Sequence, residues 1–343
     1  LHSTKKTSDF HRKSYNNYSE YGEISVSIFI KVLKAKGIQI FIDIIRSKVL
    51  FRTLAILPLV GFSKKSLEIV RLNNSNVVLS RLRRKYRSTI TKFRKDNQYS
   101  LLYDQQQRNF SKKIWICWFQ GLEAAPHVVQ ECISSVRERL SDREVIVLTD
   151  KNYHQYVTLP DHIKEKIEQG IISKTHLSDL LRLELLTQYG GTWIDGTVFC
   201  SSSDIPSYML DSNLFLFQNL KPGLDGQALA ISTWFMTASK PHHPLLELTK
   251  DLLYFYWEQN NTMVDYFLIH HFFQLSIEEF PEYWSKVVPF NNSTPHILQL
   301  RLFEKYDETM YHYILEQTPF HKLTYKFEEE KSRIPNTYYK HLF

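Results

Sequence analysis

The stretch "THLSDLLRLELLTQYGGTWIDGTVFC", residues 175–200, decides how this chain folds. Leu177, Leu180, Leu181 and Leu185 surround most of a helix that the spacing predicts from about Thr175 to Tyr189, ended by Gly190-Gly191. His176, Asp179 and Arg182 are three apart, which sets them along one face of it. On a solvated helix such an acid and arginine form a surface pair of about a few tenths of a kcal/mol. On a helix this rich in leucine they are buried and must bond each other or a polar ligand. "TWIDGTVFC" then reads as a core strand holding one acid, Asp195. A carboxylate there costs several kcal/mol unless it has partners, so Asp195 predicts a cleft or a metal site. The Gly-Gly turn lets the helix fold back onto the strand and brings Asp195 toward Asp179 and Arg182. Gly196 removes a side chain where a ligand could approach.

Upstream, "KKIWICWF" reads as a strand, "PHVVQECISSVRERL" (126–140) as a helix with Pro126 at its first turn, and "REVIVLTD" (143–150) as a second buried strand. Strand, helix and strand joined by a right-handed crossover predict an α/β domain with a mostly parallel, nucleotide-binding type of sheet flanked by helices. Such sheets bind ligands at the carboxyl ends of their strands, so Trp118 to Gly121 and Thr149 to Asn152 should face a common cleft. A helix is expected at 160–169, and strands at 213–219 and 229–238. Beyond "KPHHPLLELTKDLLYFYWEQ" the chain reads as mostly helical.

The net charge of +7 is unevenly spread. Residues 1–113 hold 24 Lys and Arg against 7 Asp and Glu, and the remainder 19 against 29. The chain therefore divides into a basic amphipathic helical region, 1–107, and an α/β domain, 108–343. Residues 38–52 read as a helix with Gln39, Asp43, Arg46 and Ser47 opposite an apolar side, and 80–96 carries eight basic residues in seventeen. One reading is a helical hairpin on an anionic membrane surface, where each nearby Lys or Arg contributes about 1 kcal/mol. The other is a helical subdomain whose apolar stripes pack on the protein and whose charges are solvated. No uncharged run approaches the roughly 18–20 residues of a membrane span, and the basic run lacks a nucleic-acid reading motif. Cys117, Cys132 and Cys200 have no metal-type spacing and fit a reducing cytoplasm. No signal peptide is visible, and a start at "LHSTKK", without Met, leaves the natural N-terminus open.

"HLSDLLRLELLTQYGGTWIDGTV" resembles the signature of the capsular polysaccharide synthesis glycosyltransferases, relatives of the glycosyltransferase family 32 mannosyl- and galactosyltransferases and more distantly of the clostridial glucosylating toxins. Their shared core is an S-D-x-x-R helix, a Y-G-G turn and a strand ending in D-x-D. The similarity runs through "KIWICWFQGLEAAP", "LTDKNY", "STWFMTASKPHHPLL", "DYFLIHHFF" and "HKLTYK", covering roughly residues 110–326. It implies a GT-A fold and transfer of a hexose from a nucleotide sugar, most often a UDP-sugar, to a saccharide in bacterial capsule or exopolysaccharide synthesis, with retention. The acceptor implied is a lipid-linked saccharide, which places the enzyme in the cytoplasm, peripheral at the inner face of the plasma membrane.

By that resemblance Trp118 stacks on the nucleotide base, Asp179 and Arg182 grip the donor sugar, and Asp195 is the first acid of D-x-D. Phe119, Gln120, Asn152, Gly191, Gly196 and Thr197 complete the donor pocket. Lys322, with His321 beside it, is the candidate for stabilising the leaving diphosphate. Asp265 and His270 are further catalytic candidates on the acceptor side, with satisfied core residues as the alternative. Thr197 stands where the second acid should be. Three outcomes follow: Mn²⁺ or Mg²⁺ held by Asp195 plus another residue, metal-free catalysis by cationic groups, or a non-catalytic sugar- or nucleotide-binding scaffold.

Overall fold

The computed structural model of the protein describes residues 45, 47–61, 63–105, 110–220 and 229–343. The helix expected at 38–52 therefore lies largely outside the described residues. The chain divides into two compact units. The first holds the described residues up to Arg84 together with Thr262–Tyr266, and the second holds the rest.

In the first unit, helix Leu50–Val60 and the start of the long helix Lys64–Asn97 form a hairpin across the Gly61 turn. Asn74 donates its amide to Thr53 Oγ1 at 3.0 Å, and Arg81 donates to the Ser47 and Lys48 carbonyls at 2.7 and 3.0 Å. These bonds tie the second helix to the first and to the residues just before it, so the pairing is partly polar. Phe51 and Leu59 remain exposed on the first helix. No helix among the described residues is long and apolar enough to cross a membrane.

The second unit is mixed α/β, built on a five-stranded sheet in the order β2-β1-β3-β6-β5. β1 (Lys113–Cys117) pairs parallel with β2 (Glu144–Leu148) and with β3 (Gly191–Ile194). β6 (Ile231–Ala238) lies antiparallel to both β3 and β5 (Phe215–Gln218), so four strands point one way and β6 alone runs back. The mostly parallel α/β sheet expected from the sequence is thus present. The crossover helix His127–Arg139 starts one residue later than read, because Pro126 has extended ψ and serves as its N-cap. It buries Val129, Ile133 and Val136 against Ile114, Ile116 and Ile194 of the sheet.

The sequence reading of 192–200 as one strand needs correction. β3 ends at Ile194, and β4 (Val198–Cys200) leaves the main sheet to pair antiparallel with β7 (Phe320–Lys322). Asp195, Gly196 and Thr197 form the bend between them, closed by the Val198 N–H donating to the Asp195 carbonyl at 3.0 Å. A continuous apolar run does not reveal this, since both halves are buried and periodicity is the same in each.

Candidate active site

The helix Lys174–Gln188 starts at Ser173, whose hydroxyl accepts from the His176 N–H. It ends in the Gly190-Gly191 turn at φ +66° and +96°. A Cβ at Gly190 would lie 2.8 Å from the Ala238 carbonyl oxygen, so the reversal requires glycine for space as well as for φ. Trp115 of β1 pins the turn by donating Nε1 to the Gly190 carbonyl at 3.0 Å. The helix face carrying His176, Asp179 and Arg182 is thereby fixed over the carboxyl end of β3, where Asp195 emerges.

All three side chains are buried, as their leucine-rich setting requires. Trp257 donates its indole N–H to His176 Nε2 at 2.7 Å. Because tryptophan only donates, Nε2 accepts, and the proton of the neutral ring sits on Nδ1, 3.4 Å from Asp179 Oδ2. Arg182 Nη2 lies 3.3 Å from Asp179 Oδ1 and 3.7 Å from Asp195 Oδ1, so one guanidinium spans both acids. It also donates to the Ser178 carbonyl and hydroxyl at 3.2 and 3.1 Å and to the Thr233 carbonyl. The guanidinium also lies 4.9 Å from the centre of the Trp193 ring. Arg182 thus bridges the two carboxylates from a fixed place on the helix.

Asp195 is held from three sides. Trp193 donates Nε1 to Oδ1 at 3.0 Å, and Lys322 donates Nζ to Oδ2 at 2.8 Å. The same ammonium donates to Thr197 Oγ1 at 2.7 Å. Burial alone would raise the Asp195 carboxyl, but the Lys322 and Arg182 charges and the bonds from Lys322 and Trp193 hold it below its ordinary range. It is an anion at neutral pH.

Trp118 leaves the end of β1 and stands beside this turn. A Cβ at Gly196 would be 3.4 Å from Trp118 Cε3, so the glycine permits the close approach. Tyr325 meets the indole edge-on at 5.3 Å between ring centres. The indole N–H is buried with no hydrogen-bond partner among the described residues.

The other expected pocket residues are placed as follows. Phe119 and Gln120 form the turn after β1, with Lys174 Nζ 4.8 Å from the Phe119 ring centre. Asn152 ties up the loop after β2: its Oδ1 accepts from the Thr149 N–H at 2.7 Å and its Nδ2 donates to the Val147 carbonyl at 3.0 Å. His321 alternates to the other side of β7 from Lys322, lying 3.1 Å from Ser201 Oγ, and burial pushes it down to about 4. His270 is on helix Leu268–Glu279 of this unit, whereas Asp265 belongs to the first unit. Trp193 and Tyr325 were not among the expected site residues. Trp193 was readable, since it precedes Asp195 by two and so shares its side of the strand.

Asp195 and Thr197 offer one carboxylate and one hydroxyl, both already bonded to an ammonium. Among the described residues no group of three or more His, Cys, Asp or Glu is placed to hold a metal ion.

Residues 61–342 match the model of a family described as "Capsular polysaccharide synthesis protein", beginning well before residue 110, where the sequence resemblance starts. Among curated proteins the chain is similar to an O-glycosyltransferase, PaGT, of Phomopsis amygdali, with 27% identity over 142 residues, 36% of this chain and 34% of that protein. The chain thus spans about a third of the length of this relative. Among solved structures it is similar to the PaToxG glycosyltransferase, with a TM-score of 0.36 and 15% identity, covering 76% of this chain and 96% of that one. It is also similar to a glycosyltransferase involved in glycosylating the major capsid of PBCV-1, with a TM-score of 0.33 and 12% identity, covering 64% of this chain and 96% of that one.

Proposed function

Starting from the fact that this chain belongs to the capsular polysaccharide synthesis protein family, we propose that it is a glycosyltransferase that moves a hexose from a UDP-sugar to a hydroxyl of a growing, lipid-linked saccharide. The observation that carries this reading is the convergence, at the carboxyl end of β3, of an ionised Asp195, a positioned Asp179 and the ammonium of Lys322, beside the indole of Trp118. These are the groups a nucleotide sugar needs. An aromatic face takes the base, carboxylates accept from sugar hydroxyls, and a fixed cation receives charge from the departing diphosphate.

In the reaction the bond from the sugar C1 to the diphosphate oxygen breaks with its electron pair going to the diphosphate. The acceptor oxygen bonds to C1 and gives up its proton. With retention, the acceptor approaches from the side the diphosphate leaves, and a diphosphate oxygen takes that proton. The transition state is oxocarbenium-like and requires no opposed pair of carboxylates. Asp179, held by Arg182, orients the sugar, and Lys322 stabilises the leaving group.

The basic N-terminal region, with Phe51 and Leu59 exposed on helix Leu50–Val60, supports peripheral attachment at the anionic cytoplasmic face of the plasma membrane, where a lipid-linked acceptor sits. The test of function is release of UDP from a panel of UDP-sugars, with and without acceptor, by the purified protein and by Asp195→Asn. Turnover by the wild type that falls at least about a hundredfold in Asp195→Asn is expected. No release from any donor would leave the non-catalytic scaffold, and an active Asp195→Asn would remove this turn from the chemistry.

A further inference from the structure

Resting on the donor site just described, we propose that the Lys322 ammonium is the resident cation of that site, standing where a D-x-D pair would hold a divalent metal, so that the donor diphosphate binds without one. The geometry is that of a cation clamp: Nζ lies 2.8 Å from Asp195 Oδ2 and 2.7 Å from Thr197 Oγ1. An ammonium has three N–H donors. Two are used here, and the third can meet a diphosphate oxygen. The backbone sets the position. Val198 lies opposite Lys322 in the β4–β7 ladder, and the Leu323 N–H donates to the Thr197 carbonyl at 2.8 Å. Lys322 is therefore delivered to the Asp195 bend by strand register and does not depend on a flexible loop.

Charge bookkeeping points the same way. Two acids at 195 and 197 would carry −2 and match a divalent ion, whereas Asp195 with the neutral Thr197 carries −1 and matches one ammonium. Arg182 and Asp179 form a second neutral pair beside it. A divalent ion entering this set would meet a single carboxylate and a fixed like charge, and would have to expel Lys322 from both its partners. Thr197 thus removes a carboxylate and offers the ammonium an acceptor at hydrogen-bond distance.

The test measures binding, independently of turnover. UDP affinity is determined by calorimetry with EDTA and with Mn²⁺, and Mn²⁺ binding to the nucleotide-free protein is followed by electron paramagnetic resonance. UDP affinities that agree within about threefold support the assignment, and a larger gain with Mn²⁺ overturns it. For Mn²⁺ alone, the double variant Thr197→Asp/Lys322→Met, which restores two acids and removes the ammonium, is expected to bind at least about tenfold tighter than wild type. Equal affinities, or wild-type Mn²⁺ binding abolished by Asp195→Asn, overturn it. If UDP binds under neither condition, the donor proposed above is wrong, and the Mn²⁺ comparison alone decides the role of Lys322.

Discussion

Replacing Lys322 by methionine keeps most of the side chain's length and apolar stem while deleting its charge. The Asp195 carboxylate would retain the Trp193 N–H at 3.0 Å and Arg182 at 3.7 Å, and Thr197 Oγ1 would lose its donor. Breaking a fully buried pair costs about 3–5 kcal/mol. Here the two side chains are 18% and 28% exposed, so water screens part of the loss and about 1–3 kcal/mol is expected. Urea unfolding followed by tryptophan fluorescence at pH 7 measures it. A double-mutant cycle with Asp195→Asn separates the pair from the individual side chains, and coupling of about 1–2 kcal/mol is expected. The sign of the pH dependence follows from Asp195, whose folded-state carboxyl lies below its ordinary value. Its contribution is complete above about pH 4 and lost as pH falls through the lowered folded value. The gap between wild type and Lys322→Met should therefore be flat from pH 7 to 5 and close in stronger acid. A Lys322→Met variant within about 0.5 kcal/mol of wild type, with additive effects in the cycle, would refute the pairing.

Trp118→Ala should weaken UDP binding by about 1–3 kcal/mol, the scale of one stacked base, and unchanged affinity by calorimetry would return Trp118 to the core. Stability should fall as pH drops below about 6.5, because burial lowers His243 to about 3 and His321 to about 4, so the unfolded chain takes up protons the folded one refuses. By pH 5 each contributes a loss of about 2 kcal/mol, and His321→Gln should remove its share of the slope in urea titrations at the two pH values. Flotation with anionic vesicles should exceed flotation with neutral ones and weaken with salt, and equal flotation would favour the packed reading of the N-terminal helices.

Local physics made much of this molecule legible. The leucine-rich helix, the glycine reversal and the strand, helix and strand order before it are all present, because each depends on neighbours a few residues apart in the chain. Asp195 was identifiable as a group needing partners, since an isolated carboxylate in apolar surroundings is costly wherever the chain takes it. Arg182 was legible as one partner through the glycine reversal, whereas the contact with Lys322 was not. That Asp195 sits in a bend between two sheets follows from β4 pairing with β7, more than a hundred residues later, and both strands look alike to periodicity. The same pairing distinguishes Lys322, which reaches Asp195 and Thr197, from His321, which alternation turns toward Ser201. Thr197 marked in the sequence the missing second acid. Only the tertiary structure supplied what stands in its place, because an ion pair is set by proximity in space, and the register of a distant strand creates that proximity.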